Sequence, residues 1–339
     1  MNNLKYLKLQ RKFRFLFDCI SYLEDFLIGN KIKDHISFNK KCIFVTGMPR
    51  SGTTILTHII SNFDEIGSFN YSDLPFIKTP FLWSKINKLY YYGNKPIERV
   101  HGDRLQLKLS SPDAFEELIW SQNIKDYKDG NFSEILNHDY KNNKLELELK
   151  RAINKILILR KKKVYLSKGN YNLFRINYLR KIFKNSYFLI CLRNPLNVIE
   201  SSVKVHKRFL EFDYKHKYFT EEMSELCHFE FGKNRISPFK DINNYNEFKY
   251  YENQWIRTHQ LILEKYLDLE NVFLINYDKL IIDPVKSISL ISKKINEKYK
   301  ENLIDTVNII TNNNYTNSTE IDCDVVKKIY SKLLDHCIN

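Results

Sequence analysis

The chain has 339 residues, a formal net charge of +14, and 43% apolar and 14% aromatic side chains. That apolar content can fill a sizeable core, which excludes a globally disordered chain, and the length suits one large α/β domain or two smaller ones. The positive charge would fit an anionic ligand or surface, but it is spread along a chain rich in Lys, Asn and Ile, so no nucleic-acid partner is expected from it.

Residues 4–28 read as a basic amphipathic helix, with Leu4, Leu7, Phe13, Phe17, Ile20, Leu23 and Leu27 among its apolar positions. Such a helix either docks on the domain or makes peripheral contact with a membrane, here at its inner face. Lys and Arg interrupt its apolar residues, so it is not a signal peptide, and no apolar run approaches the ~18 residues of a membrane span. A polar linker completes the segment 1–40.

Cys42 to Val45 is a short apolar run expected of a buried strand. It breaks at Gly47-Met48-Pro49-Arg50-Ser51-Gly52 and resumes with Ile55, Leu56, Ile59 and Ile60 at helical spacing. A strand, a glycine-bounded turn and a helix N-terminus make an anion site, because unpaired backbone N–H groups converge there. Gly47-x-x-x-x-Gly52 has the spacing of a nucleotide P-loop, but Thr53 stands where the phosphate-reaching lysine belongs, followed by Thr54, and the cation is Arg50 inside the loop. The loop can cradle an anion without the apparatus for cleaving a nucleoside triphosphate.

Glu65 to Phe69 predicts a second strand, ending before Asp73; residues 76–130 are aromatic and loop-rich and include His101-Gly102-Asp103. A helical stretch over 133–160 precedes the strand Val164–Leu166, which runs out in Ser167-Lys168-Gly169-Asn170. After a helix from Leu173 to Phe183 comes the most apolar strand, Tyr187–Leu192, ending at Arg193-Asn194-Pro195 with a helix behind it. Residues 206–247 are an aromatic, charged insertion, either a wall of the acceptor cleft or a solvated excursion. A helix over 250–267, the strand Val272–Ile275, Tyr277 and a helix from Pro284 to Asn296 complete the domain at 41–299. The tail, 300–339, has an Asn/Thr-rich loop and a last helix expected to pack on the domain.

Strands alternating with helices predict an α/β fold, a parallel sheet with helices on both faces, in a single domain with an inserted acceptor-side segment. Ligands bind beyond the carboxyl ends of such strands. Arg50, Lys168 and Arg193 follow strand ends there, and Asp73 adds an acid. Six scattered cysteines with no C-x-x-C pair support neither a zinc site nor a disulfide framework, so a reducing cytoplasmic compartment and no metal are expected.

GMPRSGTT, 47–54, resembles the 5′-phosphosulfate loop of sulfotransferases, in the PRSGTT form of tyrosylprotein and bacterial carbohydrate enzymes. The family's second signature, an Arg ending a strand with a Ser eight residues on, is matched by Arg193 and Ser201 in LICLRNPLNVIESS. A third, a strand followed by Tyr-acidic-x-Leu and Asp-Pro, is matched by VFLINYDKLIIDP. The resemblance implies a P-loop-type fold with 3′-phosphoadenosine 5′-phosphosulfate (PAPS) as donor and PAP as product. Pro49, Arg50, Ser51, Gly52, Thr53 and Thr54 would take the 5′-phosphosulfate, Arg193 and Ser201 the 3′-phosphate, and Tyr277 would sit by the adenine. It also implies a hydroxyl acceptor, on a carbohydrate or glycolipid by the likeness of residues 70–85 to bacterial surface-glycan enzymes.

By the same resemblance Lys168 stabilises the reacting sulfonate, although a solvated lysine would look alike in this chain. For the base, tyrosylprotein enzymes use a Glu after the second strand and cytosolic ones a His; here Asp73 is the first choice and His101 its rival. Plainer roles stay open for some of these residues: helix or turn capping for Thr54 and Asp73, core packing for Tyr277. Two other functions also stay open, a P-loop kinase or NTPase and a non-catalytic anion-binding protein.

Overall fold

The computed structural model describes residues 4–29, 38–90, 97–98, 100–102, 106–130, 135–216, 218–242, 246–299 and 323–339. In chain order its elements are α1 (Leu4–Lys12), α2 (Arg14–Ile28), β1 (Lys41–Gly47), α3 (Thr53–Ser61), β2 (Ile66–Gly67), α4 (Pro80–Tyr90), β3 (Ile97–Glu98), β4 (Gln106–Leu107), α5 (Glu117–Asn123) and α6 (Asn143–Arg160). There follow β5 (Val164–Lys168), α7 (Ile176–Ile182), β6 (Ser186–Leu192), α8 (Pro195–Lys215), α9 (Phe219–Glu225), α10 (Glu247–Lys265), β7 (Val272–Asn276), α11 (Tyr277–Ile282), α12 (Pro284–Ile295) and α13 (Asp324–Leu334).

β1 is the middle strand of the sheet, with two strands on either side. The order is β2-β5-β1-β6-β7 with every neighbour parallel, and β3 and β4 form a separate antiparallel ribbon. Alternation along the strands sorts the core into two layers. Ile43 and Val45, with Leu166, Leu189 and Ile275, pack under Ile55, Leu56 and Ile59 of α3 and Ile288 and Ile291 of α12. Cys42 and Phe44, with Tyr165, Phe188 and Ile190, face Ile153 and Ile156 of α6, Leu179 of α7, Val198 of α8 and Trp255 of α10. Helices on both faces of a parallel sheet, as predicted, bury both faces of every central strand, which is why those strands are apolar throughout. Apart from short β2, the loops after the strands' carboxyl ends, at Gly47, Lys168, Leu192 and Asn276, all open at one rim.

The structure departs from the expected helix over 4–28 and adds to the expectation for residues 206–247. The single helix over 4–28 breaks at Phe13, and α2 meets the body through its polar side: Ser21 and Glu24 are buried while Leu23 and Leu27 are exposed. Buried cations draw it in, with Lys155 2.9 Å from Glu24 and 2.8 Å from Asp25. The described residues of 206–247 pack on the body: α8 continues to Lys215, and Phe209, Phe219, Phe229, Phe231 and Ile242 enter the larger core layer. Asp103 and the Asn/Thr-rich loop of the tail lie outside the described residues.

Candidate active site

The loop between β1 and α3 is fixed by its glycines. At Gly47, φ is 147°, and a Cβ would lie 2.9 Å from the Cys191 carbonyl oxygen; at Gly52, φ is 102°, and a Cβ would lie 2.1 Å from the Tyr277 ring. Both glycines are therefore required by conformation and by space. They bend the chain so that the first turn of α3 points its backbone N–H groups out of the rim, where an anion would find them. Arg50 takes a left-handed conformation within the turn, φ 72°.

Three strand ends converge on this loop. Arg50 Nε donates to Ser201 Oγ on α8 at 2.9 Å, and Arg193, beyond the end of β6, donates from Nη1 to the Arg50 carbonyl at 3.1 Å. The Arg193 guanidinium lies 4.9 Å from the centre of the Tyr277 ring, a cation–π contact. Burial pushes the Tyr277 phenol up to about 12, so it stays neutral. Ser51 Oγ and Arg193 Nε are buried without a hydrogen-bond partner among the described residues. Such groups cost stability when left dry, so these are places for a ligand's acceptor atoms.

On the far side of the loop is a cleft of about 500 Å³, part of it open to solvent, lined by Arg50, Thr53, Thr54, Tyr71, His101, Asp113, Lys168, Asn170, His228, Glu230 and Phe231. Lys168 ends β5 with its Nζ 2.5 Å from Asp113 Oδ1, and the Tyr71 hydroxyl donates to Asp113 Oδ2 at 2.9 Å. Burial alone would push the Asp113 carboxyl up, but Lys168 and His228 outweigh it and hold Asp113 well below the carboxylate range. Thr53 Oγ1 donates to Asn170 Oδ1 at 3.3 Å, and Asn170 Nδ2 donates to Glu230 Oε1 at 3.3 Å, tying the start of α3 to the wall. His228 Nδ1 stands 3.5 Å from Glu230 Oε2. Burial would lower the His228 pKa, but Glu230 and then Asp113 raise it above the ordinary imidazole value. His101 packs edge-on against Phe209 and Phe231, with ring centres 5.2 and 6.2 Å away.

Asp73 is placed elsewhere. It closes a turn after β2, accepting the Asn70 backbone N–H at 2.8 Å and pairing with Arg160, and it is not among the side chains lining the cleft. Burial raises its carboxyl above the ordinary value against the pull of Arg160 and the Asn70 N–H. Its proximity to the end of β2 suggested chemistry, whereas the Asn70-x-x-Asp73 spacing is that of a capping box. The cleft also brings together Asp113, His228 and Glu230, which the sequence reading did not single out. Asp113 follows a proline ahead of a helix and reads as a cap. His228-Phe229-Glu230-Phe231 carries the one usable signal, polar residues alternating with core aromatics.

The profile of the sulfotransferase family matches residues 42–301. The chain belongs to that family. This sulfotransferase is thus a transferase of a group that generally draws its sulfonate from PAPS. Among solved structures it is similar to sulfotransferase STF1 from Mycobacterium tuberculosis H37Rv, at 13% identity and a TM-score of 0.53, over 88% of this chain and 79% of that one. It is also similar to sulfotransferase STF9 from Mycobacterium avium, at 11% identity and a TM-score of 0.48, over 89% and 78%. At such identities the likeness to STF1 is one of fold. No curated protein matches the chain.

Proposed function

We propose that this sulfotransferase moves the sulfonate group of PAPS to a hydroxyl of a carbohydrate or glycolipid. The observation that carries the donor assignment is the joining of two cationic sites through one loop: Arg50 donates to Ser201, and Arg193 donates to Arg50. PAPS presents a 5′-phosphosulfate and a 3′-phosphate, and Arg suits both because its planar fork takes oxygens in pairs. Arg50 and the loop from Pro49 to Thr54, with Ser51, Gly52 and Thr53, hold the phosphosulfate. Arg193 and Ser201 hold the 3′-phosphate, and Tyr277 bounds the nucleoside.

In the transfer, the acceptor oxygen forms a bond to sulfur while the bond from sulfur to the 5′-phosphate oxygen breaks. Arg50 and the α3 N-terminus take up the charge that grows on the leaving phosphate. Lys168 exchanges part of its hold on Asp113 for the sulfonate oxygens, and Asp113 keeps that ammonium aimed. The acceptor proton goes to His228, whose Nδ1 faces Glu230 and whose Nε2 is left for the hydroxyl. Asp73, engaged by Asn70 and Arg160, is assigned to the turn, and His101 to the wall between Phe209 and Phe231. Residues 206–247 form the acceptor side through His228, Glu230 and Phe231. A lining dense in hydroxyl, amide, imidazole and carboxylate groups suits a polyol better than an acyl chain.

Thermal unfolding with added nucleotides tests the donor. PAP without metal is expected to raise the melting temperature, since a ligand of the folded state stabilises it by mass action. Equal or greater stabilisation by ATP–Mg²⁺ would return the chain to the kinase or NTPase reading.

The pH profile tests the base. Because Glu230 raises the His228 pKa, and only neutral imidazole can accept the proton, kcat/KM should fall with decreasing pH through a value above the ordinary imidazole range. Glu230→Gln removes the raising charge, so the acid limb should move to lower pH. Loss of turnover in His101→Ala together with near-normal rates in His228→Ala would move the role to His101.

A further inference from the structure

α2 is an amphipathic helix worn inside out. Phe15, Leu16, Cys19, Tyr22, Leu23, Phe26 and Leu27 recur at spacings that place them on one stripe, and all are exposed, Phe15 at 84% and Phe26 at 81%. Leu9 and Phe13 extend the apolar surface onto α1. Surface patches of this size and continuity mark interaction sites.

The helix is not free to turn the stripe inward. Its acids are anchored in the body: Glu24 is 1% exposed and pairs with fully buried Lys155, Asp25 pairs with Lys155 and Arg151, and Asp18 pairs with Lys78. The Leu82 backbone N–H also donates to Glu24 at 2.8 Å, and Ser21 Oγ donates to the Lys78 carbonyl at 2.9 Å. Rotating α2 would strand these charges in the interior, at a cost that burying a few leucines would not offset.

The same anchoring sorts the outer face by charge. Among the described residues of α1 and α2, the exposed ones are apolar or small apart from Lys5, Arg11 and Lys12, and no acid is exposed. Arg11 is paired with Glu225 and Lys8 with Glu221 of α9, which leaves Lys5 and Lys12 on α1 as the exposed cations beside an apolar stripe whose own acids are turned away. That pattern complements an anionic lipid surface, where the rings enter the headgroup boundary and the lysines meet the phosphates. No described helix is long and apolar enough to cross a membrane, so the helix would lie in the plane of that surface.

We propose that α1 and α2 seat the enzyme on anionic membranes through this stripe. The test is co-flotation of the full chain with vesicles of phosphatidylcholine alone or mixed with phosphatidylglycerol. The wild type should float with the mixed vesicles, less with the neutral ones, and progressively less as salt is raised. Phe15→Ser with Phe26→Ser should weaken flotation more than about tenfold, since each buried ring contributes the larger part of such a factor. Because both side chains point to solvent, this variant should keep its melting temperature and its PAP-induced shift. The proposal is overturned if the wild type stays with neither vesicle, or if the variant floats as well as the wild type. It is equally overturned if sedimentation shows a dimer that the variant dissociates while no vesicle is bound; the stripe then belongs to a second copy of the chain.

Discussion

Replacing Arg50 by Ala should lower kcat by roughly 10²–10³-fold, the loss seen when one preorganised donor to a developing anion is removed. The substitution isolates the side chain unusually well. Arg50 already carries a Cβ at φ 72°, so Ala brings no new backbone strain, and the Gly47 and Gly52 conformations that shape the turn are untouched. What disappears is a guanidinium that bonds Ser201 Oγ through its Nε, on a residue that lines the cleft. Arg50→Lys should recover only a small part, because a point charge on a flexible stem has neither that anchor nor the fork. Arg193→Ala should act differently. Its partner is the loop carbonyl rather than the cleft, so PAP binding should weaken with a smaller change in kcat. Steady-state kinetics with separate kcat and KM, alongside PAP-induced melting shifts, separate the two. Equal effects of both variants on kcat, with PAP binding intact, would remove Arg50 from the leaving-group position.

The division between what could and could not be read in the sequence follows from range. Strand β1, the turn and helix α3 are contiguous, and the pattern of apolar residues with glycines at 47 and 52 suffices to describe them. The cations at 50, 168 and 193 were legible because an α/β sheet brings its strand ends to one rim whatever the loops do. The cleft wall was not, because Asp113 takes its meaning from Lys168, a distant neighbour that no local spacing reports, and the His228–Glu230 pair from its place beside them in the cleft. Asp73 illustrates the reverse: a residue near a strand end in the chain whose carboxylate is engaged by Asn70 and Arg160 and is not among the side chains lining the cleft. In α2, periodicity revealed a stripe but not which side of it faces the body, since that was decided by Lys78, Arg151 and Lys155 on other helices.

Behind the cleft, Arg175→Ala should destabilise the fold by about 3–5 kcal/mol, the cost of breaking a buried ion pair by removing one partner. Arg175 is fully buried and donates to both oxygens of Glu117, at 2.9 and 3.2 Å from Nη1, and to the Tyr127 hydroxyl; its guanidinium lies 4.1 Å from the Trp120 ring. Burial would lower its pKa, but Glu117 and Tyr127 raise it, so the arginine stays charged at every pH of interest. Deleting it leaves the Glu117 carboxylate in the core with a tyrosine hydroxyl and no cation. Arg175→Met with Glu117→Gln should therefore be more stable than Arg175→Ala alone, since the orphaned charge goes with its partner. The 3₁₀ segment Asn170–Arg175 connects this network to the site, because Asn170 at its other end bonds both Thr53 and Glu230. Loosening Arg175 should accordingly lower kcat even below the melting temperature, whereas Lys163→Ala, at an exposed ion pair with Glu65, should change neither rate nor stability by more than a few tenths of a kcal/mol. Urea unfolding monitored with unchanged m-value gives the stability differences. A loss below about 1 kcal/mol in Arg175→Ala would mean that water reaches Glu117 and that the network does not brace the cleft.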